Sequence, residues 1–492
     1  MSENMSPLRL VVSPPKSMRN RSISGVYLIT DQQDNLLERV SLALRGGVTV
    51  LQYRPKDKPL EHCLEEGRRL KQLCSRQGTL FIVNDNLQLA LTLDADGIHL
   101  GQDDGTAQEA RAVLGSDKII GISTHNLDEA LKAEANGADY LGFGAMYPTD
   151  SKTITHMPGT SGLAAIRNQV KLPIAAIGGI SPANACRVID SGADAVAVIS
   201  SVLSADRPDI AATELRLLFN RTSTLPRGAV LSIAGSDSSG GAGIQADLKT
   251  ITLLGSYAAT AITALTAQNT RGVKSIHGIP PSFVKDQIDT VLSDLPIDVI
   301  KTGMLHTPAI ISQLSEYLSE QTRYYPLVID PVMVAKGGAS LLELDGISVF
   351  LQTLLPHAYL LTPNLPEAER LLNCRIHSEA TMEQAARQLH DMGAANVLIK
   401  GGHLSGGDAV DILFDGQSIH RFTSERFFTS ATHGTGCSFA SAIASYLAQG
   451  EPLCEAVRLA KIFITNAIRL ARPMGKGHGP INHYLAAKET DP

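Results

Sequence analysis

Two stretches of this 492-residue chain concentrate residue types that handle phosphate. In the first half, Gln52, Arg54 and Lys56 follow one β-branched run, Asn84 and Asp85 a second, and Asp103 and Asp104 a third. Ser123 and Thr124 end another run; Thr149, Ser151 and Lys152 follow YLGFG; Gly178 and Gly179 follow PIAAI; Ser200 and Ser201 close AVAVIS. Cations, hydroxyls and separated carboxylates together suit a magnesium–polyphosphate ligand, because carboxylate oxygens hold the hard cation that also binds phosphate. Arg54 can engage phosphate as a planar fork, whereas Lys56 and Lys152 act as point charges. The glycine and serine ends offer backbone amides to a second phosphate. Singly, each residue has a plainer reading: Asp85 and Asp104 as helix caps or turn residues, Lys56 as a solvated loop charge.

The second half carries GSDSSGGAGIQADLKT, in which Gly235, Gly240, Gly241 and Gly243 permit close backbone approach to a ligand. Further on, ATHGTGCSFASAIASYLAQG sets a glycine turn before a long small-residue helix, whose first amides form an anion site suited to a phosphoryl group in transfer. Cys437 sits in that turn, where the helix dipole is expected to depress its thiol pKa. A small buried hydrophobe is the alternative. A cysteine hydrolase using His433 lacks a visible third member, and a serine-protease reading of GSDSSGG lacks the order and context.

Those residues must be positioned by regular elements. From Gly25 a strand-like run, a turn and an amphipathic stretch recur: VYLIT, VTVLQY, LFIVN, GIHL, IIGIS, YLGFG, PIAAI and AVAVIS. Strands alternating with helices at this spacing imply right-handed βαβ units, and eight of them within about 200 residues suggest a compact (β/α)8 barrel. An open doubly wound sheet is the alternative. In a barrel the polar residues above would all sit on C-terminal strand ends, where such folds build active sites. PDIAATELRLLFN reads as a closing helix and RTSTLPRG (221–228) as a linker. Beyond it, strands are expected at AVLSIAGSD, DVIKTGM, PLVIDPVMV, AYLLTPN and NVLIKGG.

Composition narrows the class. Hydrophobic residues are 43%, charged residues 19% and aromatics 4%, without tryptophan, as expected of helix-covered parallel sheets rather than a disordered chain. A net charge of −6 argues against nucleic-acid binding. The six cysteines form no C-x-x-C pair, so zinc or redox motifs are not expected, and a reducing cytoplasm is. No apolar run approaches the roughly 20 residues of a membrane span. Residues 1–22 lack a signal peptide's apolar core and read as a disordered tail.

At this point two resemblances emerge. LQYRPK, VNDN, DGIHLGQDD, GIST, GFGAMYPTDSKT and AIGGIS resemble thiamine-phosphate synthase, over about residues 25–220. That family, a TIM barrel, joins a hydroxymethylpyrimidine diphosphate to a thiazole phosphate and releases pyrophosphate. The resemblance implies pyrimidine-diphosphate contacts at Gln52, Arg54, Lys56, Asn84, Ser123 and Lys152, with Arg54 and Lys152 catalytic. It implies magnesium ligands at Asp85 and Asp104, and thiazole-phosphate contacts at Thr149, Ser151, Gly179, Ile199 and Ser200. Tyr53 stands where the family usually has an aliphatic residue and Ser151 where it has Thr; neither disturbs the chemistry. SIAGSDSSGGAGIQADLKT, ITALTAQNTRGV, KTGML, VIDPVM, LLTPNLPEAE, LIKGGH and THGTGCSFASAIA resemble hydroxymethylpyrimidine/phosphomethylpyrimidine kinase, of the ribokinase-like α/β fold, over about residues 229–486. Here the resemblance implies that Asp237 and Gln268 hold the pyrimidine and that Met304 and Val332 line its apolar pocket. Asp330 and Glu367 would organise magnesium and phosphates, Lys400 would contact ATP, Gly434, Thr435 and Gly436 would form the anion hole, and Cys437 would be catalytic.

The kinase product would be the synthase substrate, so one polypeptide would carry consecutive steps. The expected organisation is a tail (1–22), a synthase barrel (23–220), a linker (221–228) and a kinase (229–492). The expected partners are small molecules, with ATP as co-substrate, and a homo-oligomer is expected from the kinase family. A pyridoxal-type kinase with another phosphate-binding barrel is one rival, opposed by Asp237, Gln268 and the complete QYRPK…SKT set. A degenerate, non-catalytic sensor is the other, opposed by the intact carboxylates and lysines.

Overall fold

The computed structural model describes residues 23–56, 58–149, 156–333, 344–402, 404 and 407–490. The expected tail, Ser151 and Lys152 lie outside the described residues. The chain forms two compact units that divide between Leu215 and Arg216. The division falls inside the helix Pro208–Leu218, upstream of the 221–228 stretch.

In the first unit, strands β1 (Gly25–Ile29), β2 (Val48–Tyr53), β3 (Leu80–Asn84), β4 (Gly97–Leu100), β5 (Ile119–Thr124), β6 (Tyr140–Gly144), β7 (Ile174–Ile177) and β8 (Ala195–Val198) close into a barrel in sequence order, every pair parallel. These strands are buried almost throughout because they face helices outside and each other inside. Tyr27, Val50, Ile82 and Tyr140 belong to the cluster that fills the interior. Helix starts are set locally: Thr106 and Glu109 form a capping box before Ala107–Leu114, which orients the chain leaving the β4 end.

The second unit is a nine-stranded sheet. Its strands are β9 (Ala229–Asp237), β10 (Tyr257–Asn269), β11 (Gly272–Gly278), β12 (Val299–Thr302), β13 (Leu327–Ile329), β14 (Ala358–Leu361), β15 (Val397–Lys400), β16 (Asp408–Phe414) and β17 (Ile419–Glu425). The order is β11-β10-β9-β12-β13-β14-β15-β16-β17, parallel from β10 to β15, with antiparallel pairs at both edges. All five strands expected from sequence are present; the sequence reading passed over β10, β11, β16 and β17. Helix Thr435–Ala448 is buried from Ser438 to Ala448, and its serines and alanines allow close approach to the sheet. Beneath it Lys301 and Asp247 form an ion pair at 2.9 Å with neither side chain exposed. Ser232 and Ser441 both donate to the same carboxylate, so the buried charges are compensated. Among the described residues no helix is long and apolar enough to cross a membrane.

Candidate active sites

A cavity of about 450 Å³ opens at the C-terminal ends of the barrel strands. Gln52, Arg54, Asn84, Asp85, Asp104, Ser123, Thr149, Gly179, Ile199 and Ser200 all line it. Lys56 is exposed and is not among the lining residues; its carbonyl accepts from the Gln32 amide, as a solvated loop residue would.

The acidic residues are not helix caps. Asn86 caps the helix Leu87–Thr92 and Thr106 the next one, so neither Asp85 nor Asp104 is used for that purpose. Asp104 accepts the Gly101 amide at 3.0 Å, while Asp85 takes a left-handed backbone with φ 59. Burial, then the adjacent Asp104 carboxylate, pushes the Asp85 carboxyl up to about 6, with Arg54 and Asn84 pulling the other way. Two neighbouring carboxylates that repel each other at the cavity mouth are a fitting donor set for a hard divalent cation.

The floor of this cavity holds residues whose role the sequence did not reveal. Tyr27, His99 and Tyr140 form a hydrogen-bonded row between Gln52 and Ser123. A Cβ at Gly121 would overlap the Tyr140 ring and one at Gly142 would crowd His99, so both glycines make room for the row. The runs VYLIT, DGIHL and YLGFG contain Tyr27, His99 and Tyr140, but their meeting depends on barrel closure.

The second unit has its own cavity, of about 470 Å³, lined by Asp237, Gln268, Met304, Val332, Asp330, Glu367, Lys400 and the turn Gly434–Cys437. Gly434 adopts φ 79 at the N-terminus of Thr435–Ala448, and a side chain there would collide with the Gly241 carbonyl. Two glycine turns, from β9 and before this helix, therefore pack backbone to backbone. Met304 and Val332 pack with Ala264 and Ile276 to make an apolar wall.

Charge gathers at the helix N-terminus. Lys400 donates to Asp330 at 2.7 Å, and Gly436 lies against both side chains. Glu367 closes a capping box with Asn364, and burial drives its carboxyl up to about 7, with Lys400 opposing and Asp330 adding to the rise. Asp237 accepts from the amides of Ser239, Gly241 and Ala242 and lies 2.9 Å from His433 Nε2. Burial alone would raise its pKa, but the bonds from His433 and the turn outweigh burial and hold the carboxyl well below the usual range. Asp237 thus latches its turn to His433, which also approaches Gln268 at 3.3 Å. His433 had been visible in THGTGC only as a neighbour of the cysteine.

The expectation for Cys437 is corrected. Burial pushes its thiol up to about 12; Lys301 opposes this, while Asp330 and Asp247 add to it. The helix dipole is outweighed by burial and by the carboxylates nearby. Burial thus favours the thiol over the thiolate that a cysteine hydrolase would use.

Residues 26–202 match the family model for thiamine monophosphate synthase, and residues 237–482 that for phosphomethylpyrimidine kinase. The thiamine biosynthesis bifunctional protein ThiED of Geobacter sulfurreducens is 58% identical over 490 residues, covering 100% of this chain and 99% of that one. The chain belongs to the bifunctional ThiED family. The multifunctional ThiED protein of Corynebacterium efficiens is 34% identical across 94% of this chain and 65% of its own length. Among solved structures, a pyridoxal kinase from Staphylococcus aureus matches with TM-score 0.49 and 37% identity, covering 53% of this chain and 94% of that one. As a ThiED-family member the chain phosphorylates hydroxymethylpyrimidine and its monophosphate, with ATP as co-substrate, and condenses the resulting diphosphate with thiazole phosphate to thiamine phosphate.

Proposed function

We propose that the barrel cavity is the coupling site and that the cavity at Gly434–Cys437 is the kinase site, within units spanning about residues 23–220 and 229–492 on either side of a 221–228 linker. The observation that carries this reading is that, among the described residues, every site residue the motifs single out except Lys56 lines its cavity.

In the barrel, Arg54 and Asn84 bind the diphosphate, with Lys152 assigned to the same role from its motif. Thr149, Gly179, Ile199 and Ser200 hold the thiazole phosphate, with Ser151 again from its motif. Asp85 and Asp104 would hold magnesium, which when bound neutralises charge on the departing pyrophosphate. The aminopyrimidine can carry the positive charge left behind, so no protein nucleophile is needed. Arg54 supplies a fixed cation where that charge develops.

In the kinase, Gln268 and the Met304–Val332 wall take the pyrimidine, and Asp237 keeps their neighbouring turn in place. Asp330 and Glu367 would organise magnesium, and Lys400 contacts the nucleotide's phosphates. The amides of Gly434, Thr435 and Gly436 face the transferring phosphoryl group, where dispersed charge needs donors more than a strong base. A neutral Cys437 beside the acceptor alcohol suits such a loose transition state.

Incubating the protein with hydroxymethylpyrimidine, ATP, magnesium and thiazole phosphate tests both assignments. Thiamine phosphate should accumulate, and pyrimidine diphosphate without thiamine phosphate would mean that the barrel assignment is wrong.

A further inference from the structure

Away from both cavities, the turn between β16 and β17 meets the start of the helix Leu453–Arg469, and three side chains of different donor type converge there. Asp415, His420 and Cys454 each offer one ligand atom, and these atoms all lie within 4.8 Å of one another. His420 Nε2 lies 2.7 Å from Asp415 Oδ2. All three residues are half-buried, and none of them lines the cavity of the second unit. The absence of a C-x-x-C pair did not reveal this group, because its donors come from a hairpin and a helix far apart in the chain.

Each donor is held by its own element. Asp415 Oδ1 accepts the amides of Gln417 and Ser418 at 2.9 and 2.7 Å, which leaves Oδ2 turned to His420. Gly416 takes φ 86 to close that turn. His420 is fixed on β17 by its pairing with Leu413 on β16. Cys454 is the second residue of its helix, where the first amides favour a thiolate. Hydrogen bonds that orient a carboxylate in this way are the usual support of a metal ligand.

A thiolate, an imidazole and a carboxylate together suit a borderline-soft ion such as zinc, with water in the fourth position; a hard ion such as magnesium would not select the sulfur. Zinc bonds of about 2.0–2.3 Å at tetrahedral angles place ligand atoms about 3.3–3.6 Å apart. The His420 and Asp415 atoms would then part by about 0.6 Å, and the sulfur would close by at most about 1.2 Å.

We propose that Asp415 Oδ2, His420 Nε2 and Cys454 Sγ form a zinc site that ties the β16–β17 turn to the start of the helix Leu453–Arg469. On binding, the thiol proton passes to solvent, and thiolate and carboxylate balance the two charges of the ion. The helix continues to Lys461 and Thr465, and β17 to Ser424 and Glu425, all of which line the second unit's cavity. Zinc therefore fastens two walls of that cavity at their outer ends and adds to stability without entering the chemistry.

The test titrates the reduced full chain with Co²⁺ in excess Mg²⁺. One equivalent should bind with a thiolate-to-cobalt charge-transfer band in the near ultraviolet, and Zn²⁺ should displace it. Cys454→Ser should abolish the band, Cys437→Ser should keep it, and His420→Ala and Asp415→Asn should each weaken Zn²⁺ binding by at least about tenfold. Zn²⁺ should raise the kinase melting transition of wild type but not of Cys454→Ser. With Zn²⁺ chelated, Cys454→Ser, His420→Ala and Asp415→Asn should match wild type in kinase activity, which reports on folding. Slowed alkylation of Cys454 by Zn²⁺ in wild type, read by mass spectrometry of its peptide, decides the case without any variant. Absence of a thiolate band, a band that survives Cys454→Ser, or Zn²⁺ affinity unchanged by His420→Ala would each overturn the site and leave only a hydrogen-bonded Asp415–His420 pair beside a thiol.

Discussion

Cys437 and His483 show at the residue scale how burial decides chemistry. A thiol pushed up to about 12 leaves on the order of 10⁻⁴ of Cys437 as thiolate at pH 8. With the thiol protonated, Cys437→Ser should keep kinase kcat within about tenfold, whereas loss of a true general base costs 10²–10⁴-fold. A steady-state assay at saturating ATP reads the difference, and a hundredfold loss in the serine variant would restore the thiolate. His483 lies 2.9 Å from Ser438, the residue after Cys437. Burial, aided by Lys249, lowers its pKa from 6.5 to about 4. The folded state therefore resists a proton that the unfolded chain accepts. Stability is complete above about pH 6.5 and falls as pH drops toward 4, by at most about 3 kcal/mol. Urea melts of the kinase transition between pH 4 and 7 should show this slope, and His483→Gln should flatten it.

Elements explain which of these features were readable beforehand. The barrel strands announced themselves because VTVLQY, LFIVN and IIGIS are apolar on both faces, as strands between helices and a filled interior must be. Edge strands did not: β11 and β17 are half exposed, and their mixed residues carry no continuous apolar run. Motif residues on strand ends were legible, but contacts were not. Tyr27 meets Tyr140 across 113 residues, and the carboxylates that add to the burial effect on the Cys437 thiol come from distant elements. Nor could sequence say why two barrel strands carry mid-strand glycines. Gly121→Ala should test that reason: the methyl must displace the Tyr140 ring, an overpacking cost of about 1–3 kcal/mol. At roughly 2–4 °C per kcal/mol, calorimetry should find the synthase transition several degrees lower with the kinase transition unmoved. An unshifted melt would mean that Tyr140 has room to spare.

At the scale of the whole molecule, the described residues that line each cavity come from a single unit. The described residues lining one fall between Tyr27 and Ser201, and those lining the other between Ala234 and Ile468. Under the proposed assignment the diphosphate is made at the second cavity and consumed at the first. Two variants separate the steps. Gly436→Asp puts a carboxylate beside Asp330 at the anion-binding amides and should cost the kinase at least about a hundredfold. Arg54→Ala removes a fixed cation from the barrel and should cost coupling by about 10²–10³-fold. Neither variant alone should make thiamine phosphate from hydroxymethylpyrimidine at an appreciable rate. An equimolar mixture should, after a lag in which free diphosphate accumulates, and the lag should vanish when diphosphate is added. A mixture that stays silent while each variant retains its untouched activity would show that the intermediate never reaches bulk solution, and that fusion does more than keep the two activities in equal amounts.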